Sequence, residues 1–181
     1  LRRLLLRIGA GGLLAAAALP AAPLVPIPQL GVRIPAGFRI SVFADADLAN
    51  DIYAMTLDPR GNVVVTSQGY IRTLLDRNRD GVADDTEEFA STRTGGMGLA
   101  FDGNDLLFSG DGGLWRFSDA NGDGRADGPP RKLFDLESSE HGGHAPRRGP
   151  DGMWYVMAGN NTKFGMLKRP VEGGALLRLG N

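Results

Sequence analysis

Apolar positions along this chain come in short runs, such as "FRISVF", "NVVVT", "YIRTLL", "DLLFSG" and "GLWRF", each closed by Gly, Pro, Asp or Asn. None continues into the i, i+3, i+4 spacing of an amphipathic helix. Short runs bounded by turn formers read as strands, so the pattern predicts an all-β protein. Two windows align: "MTLDPRGNVVVTSQGYIRTLLDRNRDGVAD" from Met55 and "GLAFDGNDLLFSGDGGLWRFSDANGDGRAD" from Gly98. Each reads as strand, tight turn, strand, Gly turn, strand and acidic loop. A third copy begins near "RRGPDGMWYVMAGNN" and resumes at "GGALLRL" after a longer insertion.

The acidic loops start at Asp76 and Asp119, 43 residues apart. A period of about forty residues with three or four strands per unit is the signature of β-propeller blades, four-stranded antiparallel sheets that stack face to face around an axis. Propellers close with about four to eight blades. The chain holds about three, so it reads as the N-terminal part of a longer reading frame whose propeller is expected to have six. Trp115 and Trp154 are read as lying in corresponding strands of successive repeats, packing between blades.

Composition changes this picture mainly at the N-terminus. "LRRLLLRIGAGGLLAAAALPAAP" has early arginines, an Ala/Leu-rich run and then small residues. That is the layout of an export signal, with a paired arginine that fits the twin-arginine route. The expected organisation is an export signal over 1–23, a linker over 24–33 and a partial propeller over 34–181. The mature protein is expected in the periplasm or outside the cell, with no stable membrane span after signal cleavage. A net charge of -1 gives no reason to expect a nucleic-acid partner. There is no cysteine, hence no disulfide and no attachment site for c-type haem.

The acidic loops carry the first candidate chemistry. In "DRNRDGVADDTE", Asp76, Asn78, Asp80 and Asp84 occupy positions 1, 3, 5 and 9 of a calcium loop. Gly81 supplies the turn, Val82 offers a carbonyl at position 7 and Glu87 stands at 12. Such an oxygen-rich set suits a hard cation, and Ca2+ is the expected ligand. "DANGDGRADGPP" repeats the set with Asp119, Asn121, Asp123 and Asp127, but Pro130 replaces the glutamate, which predicts weaker binding.

The second candidate is "SSEHGGHAPRRGPDGMWYVMAGNN", which holds the only two histidines, His141 and His144. The segment resembles the glucose/sorbosone dehydrogenase family, six-bladed propellers that oxidise sugars with pyrroloquinoline quinone. Together with "GYIRTLLDRNRDGVAD" and "FDGNDLLFSGDGGLWRFSDANGDGRADGPP" it is more closely similar to exported members of that family from planctomycete-type bacteria, named membrane-bound dehydrogenases and often fused to cytochrome-like domains. The resemblance covers roughly residues 34 to 180.

That resemblance implies a sugar or related alcohol as substrate, a cytochrome-type electron acceptor, and His141 as the base that takes the hydroxyl proton. It places His141, rather than His144, at the family's catalytic position, eight residues before Gly149. The family's supporting Asp corresponds to Asn160, which can hold an imidazole tautomer but cannot stabilise imidazolium as a carboxylate does. No residue is assigned to the quinone; Arg147, Arg148 and Lys163 are the nearby cations. The alternative expectation is a non-catalytic propeller that binds carbohydrate or a protein partner.

Overall fold

The computed structural model of the chain describes residues 22–137, 143–159, 163–164 and 174–180. The chain divides into two compact units, with the boundary between Ser41 and Val42. In the first, β1 (Leu24–Ile27) and β2 (Val32–Pro35) pair as a hairpin across the 3-10 turn Pro28–Leu30. The stretch expected as a linker therefore carries secondary structure. Residues 1–21 of the expected export signal lie outside the described residues.

The second unit is built of antiparallel blades, as the repeat predicts. Blade 1 runs β3 (Ala54–Leu57), β4 (Val63–Ser67), β5 (Tyr70–Leu75) and β6 (Asp85–Ala90), each paired with the next in the chain. Blade 2 repeats the plan with β7 (Gly96–Asp102), β8 (Asp105–Gly110), β9 (Gly113–Phe117) and β10 (Arg131–Glu137). Blade 3 contains β11 (Arg147–Arg148), β12 (Trp154–Ala158) and β14 (Ala175–Leu179). From the insertion between β12 and β14, β13 (Lys163–Phe164) pairs with the outer edge of blade 2, extending that sheet to five strands. Among the described residues there is no α-helix.

Strand burial explains why the runs looked continuous. β4 and β8 are buried on both faces, so hydrophobicity need not alternate along them. β14 alternates between half-buried and exposed because only one of its faces is covered. Between blades 1 and 2 the core joins Val64, Ile71 and Phe89 to Leu99, Leu106, Phe108 and Phe117. The Phe89 ring meets those of Phe101 and Phe117 edge-on at 5.8 and 6.3 Å. Between blades 2 and 3, Ala100 and Leu107 pack on Trp154, and Leu114 and Leu136 pack on Val156.

One sequence expectation is corrected here. Trp154 lies on the second strand of blade 3, whereas Trp115 lies on the third strand of blade 2, so they are not equivalent. A large ring can fill an inter-blade gap from either strand, and shared residue type misled the alignment.

Candidate functional site

An antiparallel meander sends alternate connections to opposite ends of the sheet, and this separates the two candidate chemistries. The acidic loops, β5 to β6 and β9 to β10, share one end with the turns Asp58–Asn62 and Asp102–Asp105. The turns β4 to β5 and β8 to β9 lie at the other end, as do the connections that enter each following blade. His144 lies just after one of those connections, the one that enters blade 3.

At the first end the two loops share one net of hydrogen bonds. Asp76 accepts from the backbone N–H groups of Asp80 and Gly81, at 3.1 and 2.9 Å. Asp119 accepts from those of Asp123 and Gly124, at 3.1 and 3.0 Å. Asn78 and Asn121 each accept the same Asp80 or Asp123 N–H and donate back to that residue's carboxylate. Asp80 accepts from Val82 N–H, and Asp123 from Arg125 N–H. Asp84 and Asp127 reach back to the N–H groups of Arg77 and Ala120. Gly81 and Gly124 sit at φ 90° and 92°, a region closed to most side chains, which is why glycine stands at both sixth positions.

Each loop also docks on the preceding outer strand or its counterpart. Ala83 N–H donates to the Phe43 carbonyl at 2.7 Å, and Ala126 N–H to that of Phe89 at 2.9 Å. The loops thus tie neighbouring parts of the stack together.

Surroundings differ. Arg77 gathers Asp85 and Glu87, both at 2.9 Å, so Glu87 lies in a surface ion pair beside the first loop. The arginine hydrogen bond holds the Asp85 carboxyl below its ordinary range. The second loop is held from outside itself: Asp105 accepts the Asp119 N–H at 3.1 Å and pairs with Arg116 at 2.7 Å, while Arg60 donates to the Gly122 carbonyl. Burial would raise the Asp105 carboxyl, but the Arg116 hydrogen bond and charge and the Asp119 N–H together hold it below its usual range. Among the described residues no group of three or more His, Cys, Asp or Glu side chains is gathered as a ready metal cage.

At the other end, the segment carrying His144 becomes the start of the inner strand of blade 3. Gly143 bridges Ala158, His144 bridges Met97 of blade 2, and His144 N–H donates to the Met157 carbonyl at 2.8 Å. A side chain at position 98 would strike the backbone of His144 and Ala145 within 2.7 Å, so Gly98 is what lets this segment lie against β7. His144 lines a pocket with Met157, Gly159 and Leu176. His141 and Asn160 lie outside the described residues, although Asn160 directly follows Gly159.

The family model described as "Domain of unknown function (DUF7133)" matches residues 30–175. The chain belongs to this family. No curated protein and no solved structure matches it. For this member of the family, the structure brings together Asp76, Asn78, Asp80, Val82 and Asp84 in one loop and Asp119, Asn121, Asp123 and Asp127 in the other. It does not join either set to His144. Arg148 turns toward the acidic-loop end, 3.3 Å from Asp102, and Arg147 is exposed.

Sequence reasoning overlooked Asp105, Arg116 and Arg60. A usable signal was present: two aspartates flank the "DGND" turn opposite an arginine on a neighbouring strand.

Proposed function

We propose that this protein is an exported propeller of the sugar dehydrogenase type, acting on a sugar or related alcohol at one end and braced by calcium at the other. The observation that supports it most directly is the position of His144: at the start of an inner strand, against the neighbouring inner strand, at the end away from the acidic loops. On this reading His141 accepts the proton from the substrate hydroxyl, a task that suits an imidazole because its pKa lies near neutrality. The two DxNxDGxxD loops each take a calcium ion through their carboxylate and amide oxygens, the first bracing blade 1 against the segment at Phe43 and the second bracing blade 2 against blade 1.

Pyrroloquinoline quinone, when bound, would supply the hydride acceptor. Its carboxylates need cations, and the described arginines do not form such a cradle beside His144, since Arg148 is committed to Asp102. The same observation favours a second reading, a non-catalytic propeller that binds carbohydrate or a protein partner, and Asn160 in place of an aspartate points the same way.

A titration of the calcium-loaded protein with the quinone, followed by dye reduction with a panel of aldoses, separates the two. Quinone binding with sugar-dependent reduction that His141→Ala abolishes is the expected result. A folded protein that takes up no quinone would leave the binding-module reading.

A further inference from the structure

A blade has a near face, which meets the blade before it, and a far face, which meets the blade after it. Where blade 1 meets blade 2, the far face supplies Ile71 and Phe89 and the near face supplies Leu99 and Phe101. Ile71 and Leu99 are fully buried there. Met55 and Leu57 are the blade 1 counterparts of Leu99 and Phe101. Met55 pairs with Val65 and Leu57 with Val63, as Leu99 pairs with Phe108 and Phe101 with Leu106. Yet Met55 is 57% exposed, and Leu57 is exposed beside it.

The far face of blade 3 is open too. Trp154 and Val156 enter the core shared with blade 2, so strand alternation sends Met157 to the other side, together with its cross-strand partner Leu176. On the far face of blade 2, Leu114 is fully buried; Leu176 is 68% exposed.

The outer strands are uneven in a matching way. Blades 1 and 2 finish on β6 and β10, whereas among the described residues no strand follows β14 in the sheet of blade 3. Ahead of blade 1, residues 38–44 hold the place of an outer strand but belong to no sheet. The Phe43 carbonyl accepts the Ala83 N–H just as the Phe89 carbonyl on β6 accepts that of Ala126. Phe43 packs on the cluster of Val65 and Leu74, and Phe89 belongs to the one that holds their counterparts, Phe108 and Phe117. Phe38, Ile40 and Val42 are exposed.

We propose that two copies of this chain associate head to tail. Residues 38–43 of one copy add to the β14 edge of the other as the outer strand of its blade 3, and Met157 and Leu176 pack on Met55 and Leu57. The contact repeats the one already made between blades 1 and 2. A second copy is the occupant because the chain carries both halves, an outer strand without a blade and a blade without an outer strand. A head-to-tail contact either closes into a ring or runs on as a filament. Three blades from each copy make six on closure, within the range of about four to eight at which propellers close. Met157 and Leu176 line the pocket of His144, so the second copy would supply one of its walls.

The test is sedimentation velocity on the full chain from about 1 to 100 μM, where a discrete species of twice the chain mass is expected, with a Kd of about 10 μM or tighter. Leu176→Asp spoils the far face alone and Met55→Asp the near face alone. Both positions are at the surface, so each variant should keep its β-sheet circular dichroism. Each by itself should dimerise about a hundredfold more weakly, because a carboxylate is buried without a partner. Mixed in equal amounts, the two variants retain one intact contact and should form a heterodimer tighter than either homodimer. A chain that stays monomeric at about 100 μM overturns the proposal, as does an open series of larger species. Undiminished dimerisation of either folded variant, or no recovery on mixing, overturns it as well.

Discussion

The two acidic loops share a common net of internal hydrogen bonds and have different neighbours. Asp76 is half-buried and the first loop's arginine, Arg77, spreads over its own Asp85 and Glu87. Asp119 is only 3% exposed, and the second loop is held by Asp105 and Arg60 from other turns. Local sequence is enough to shape the loop, because every bond in the shared net spans seven residues or fewer. What each loop fastens is decided by residues far away in the chain. The absence of a glutamate at Pro130 therefore separates the loops less than the sequence pattern implies, since Glu87 itself sits with Arg77.

The most disruptive way to probe this comparison is through the strand on which the second loop docks. Phe89→Ala should cost about 3 to 5 kcal/mol in chemical denaturation, because the ring is fully packed between blades and leaves a cavity. Phe43→Ala, at the half-buried counterpart, should cost clearly less. Equal losses would show that the irregular segment at Phe43 and the strand at Phe89 are equivalent supports after all.

Calcium comes next. With the ion at about a hundred times its dissociation constant, linkage should stabilise the protein by about 2.7 kcal/mol per loop that binds only when folded. Asp80→Ala and Asp123→Ala should each remove one ion by elemental analysis. A thermal transition that a chelator leaves in place would show the loops to be self-sufficient hydrogen-bonded turns.

Asp105→Asn should cost about 1.5 kcal/mol by removing a charge-assisted hydrogen bond, and should loosen the second loop while sparing the first. Its pH dependence has a definite sign. The folded carboxyl is held below its ordinary value, so its contribution is complete above the usual carboxylate range and is lost as pH falls through the depressed value. The variant should accordingly lose less stability than the parent on acidification in that window.

Glu87→Gln should have the smallest effect, within about 1 kcal/mol, since it removes one member of a surface ion pair. Calcium uptake by the first loop should be unchanged. A marked fall in affinity would mean that Glu87 leaves Arg77 to close the loop around the ion.

Much of the fold was legible because its signals are local. Turn formers bounded the strands, and the repeated loop at Asp76 and Asp119 set the blade period. The candidate calcium ligands were legible for the same reason, each set lying within one short loop. The pairing of Trp115 with Trp154 failed because residue type was read as strand position. Asp105, Arg116 and Arg60 were missed because their partners are fixed by blade stacking rather than by chain spacing.

By itself, then, the sequence determined the strands, their repeat and the shape of each acidic loop, all governed by turn geometry and short-range hydrogen bonds. Only the tertiary structure decided that the acidic loops and His144 occupy opposite ends of the blades. The physical reason is that strand pairing and packing bring together residues far apart in the chain, which local spacing does not set.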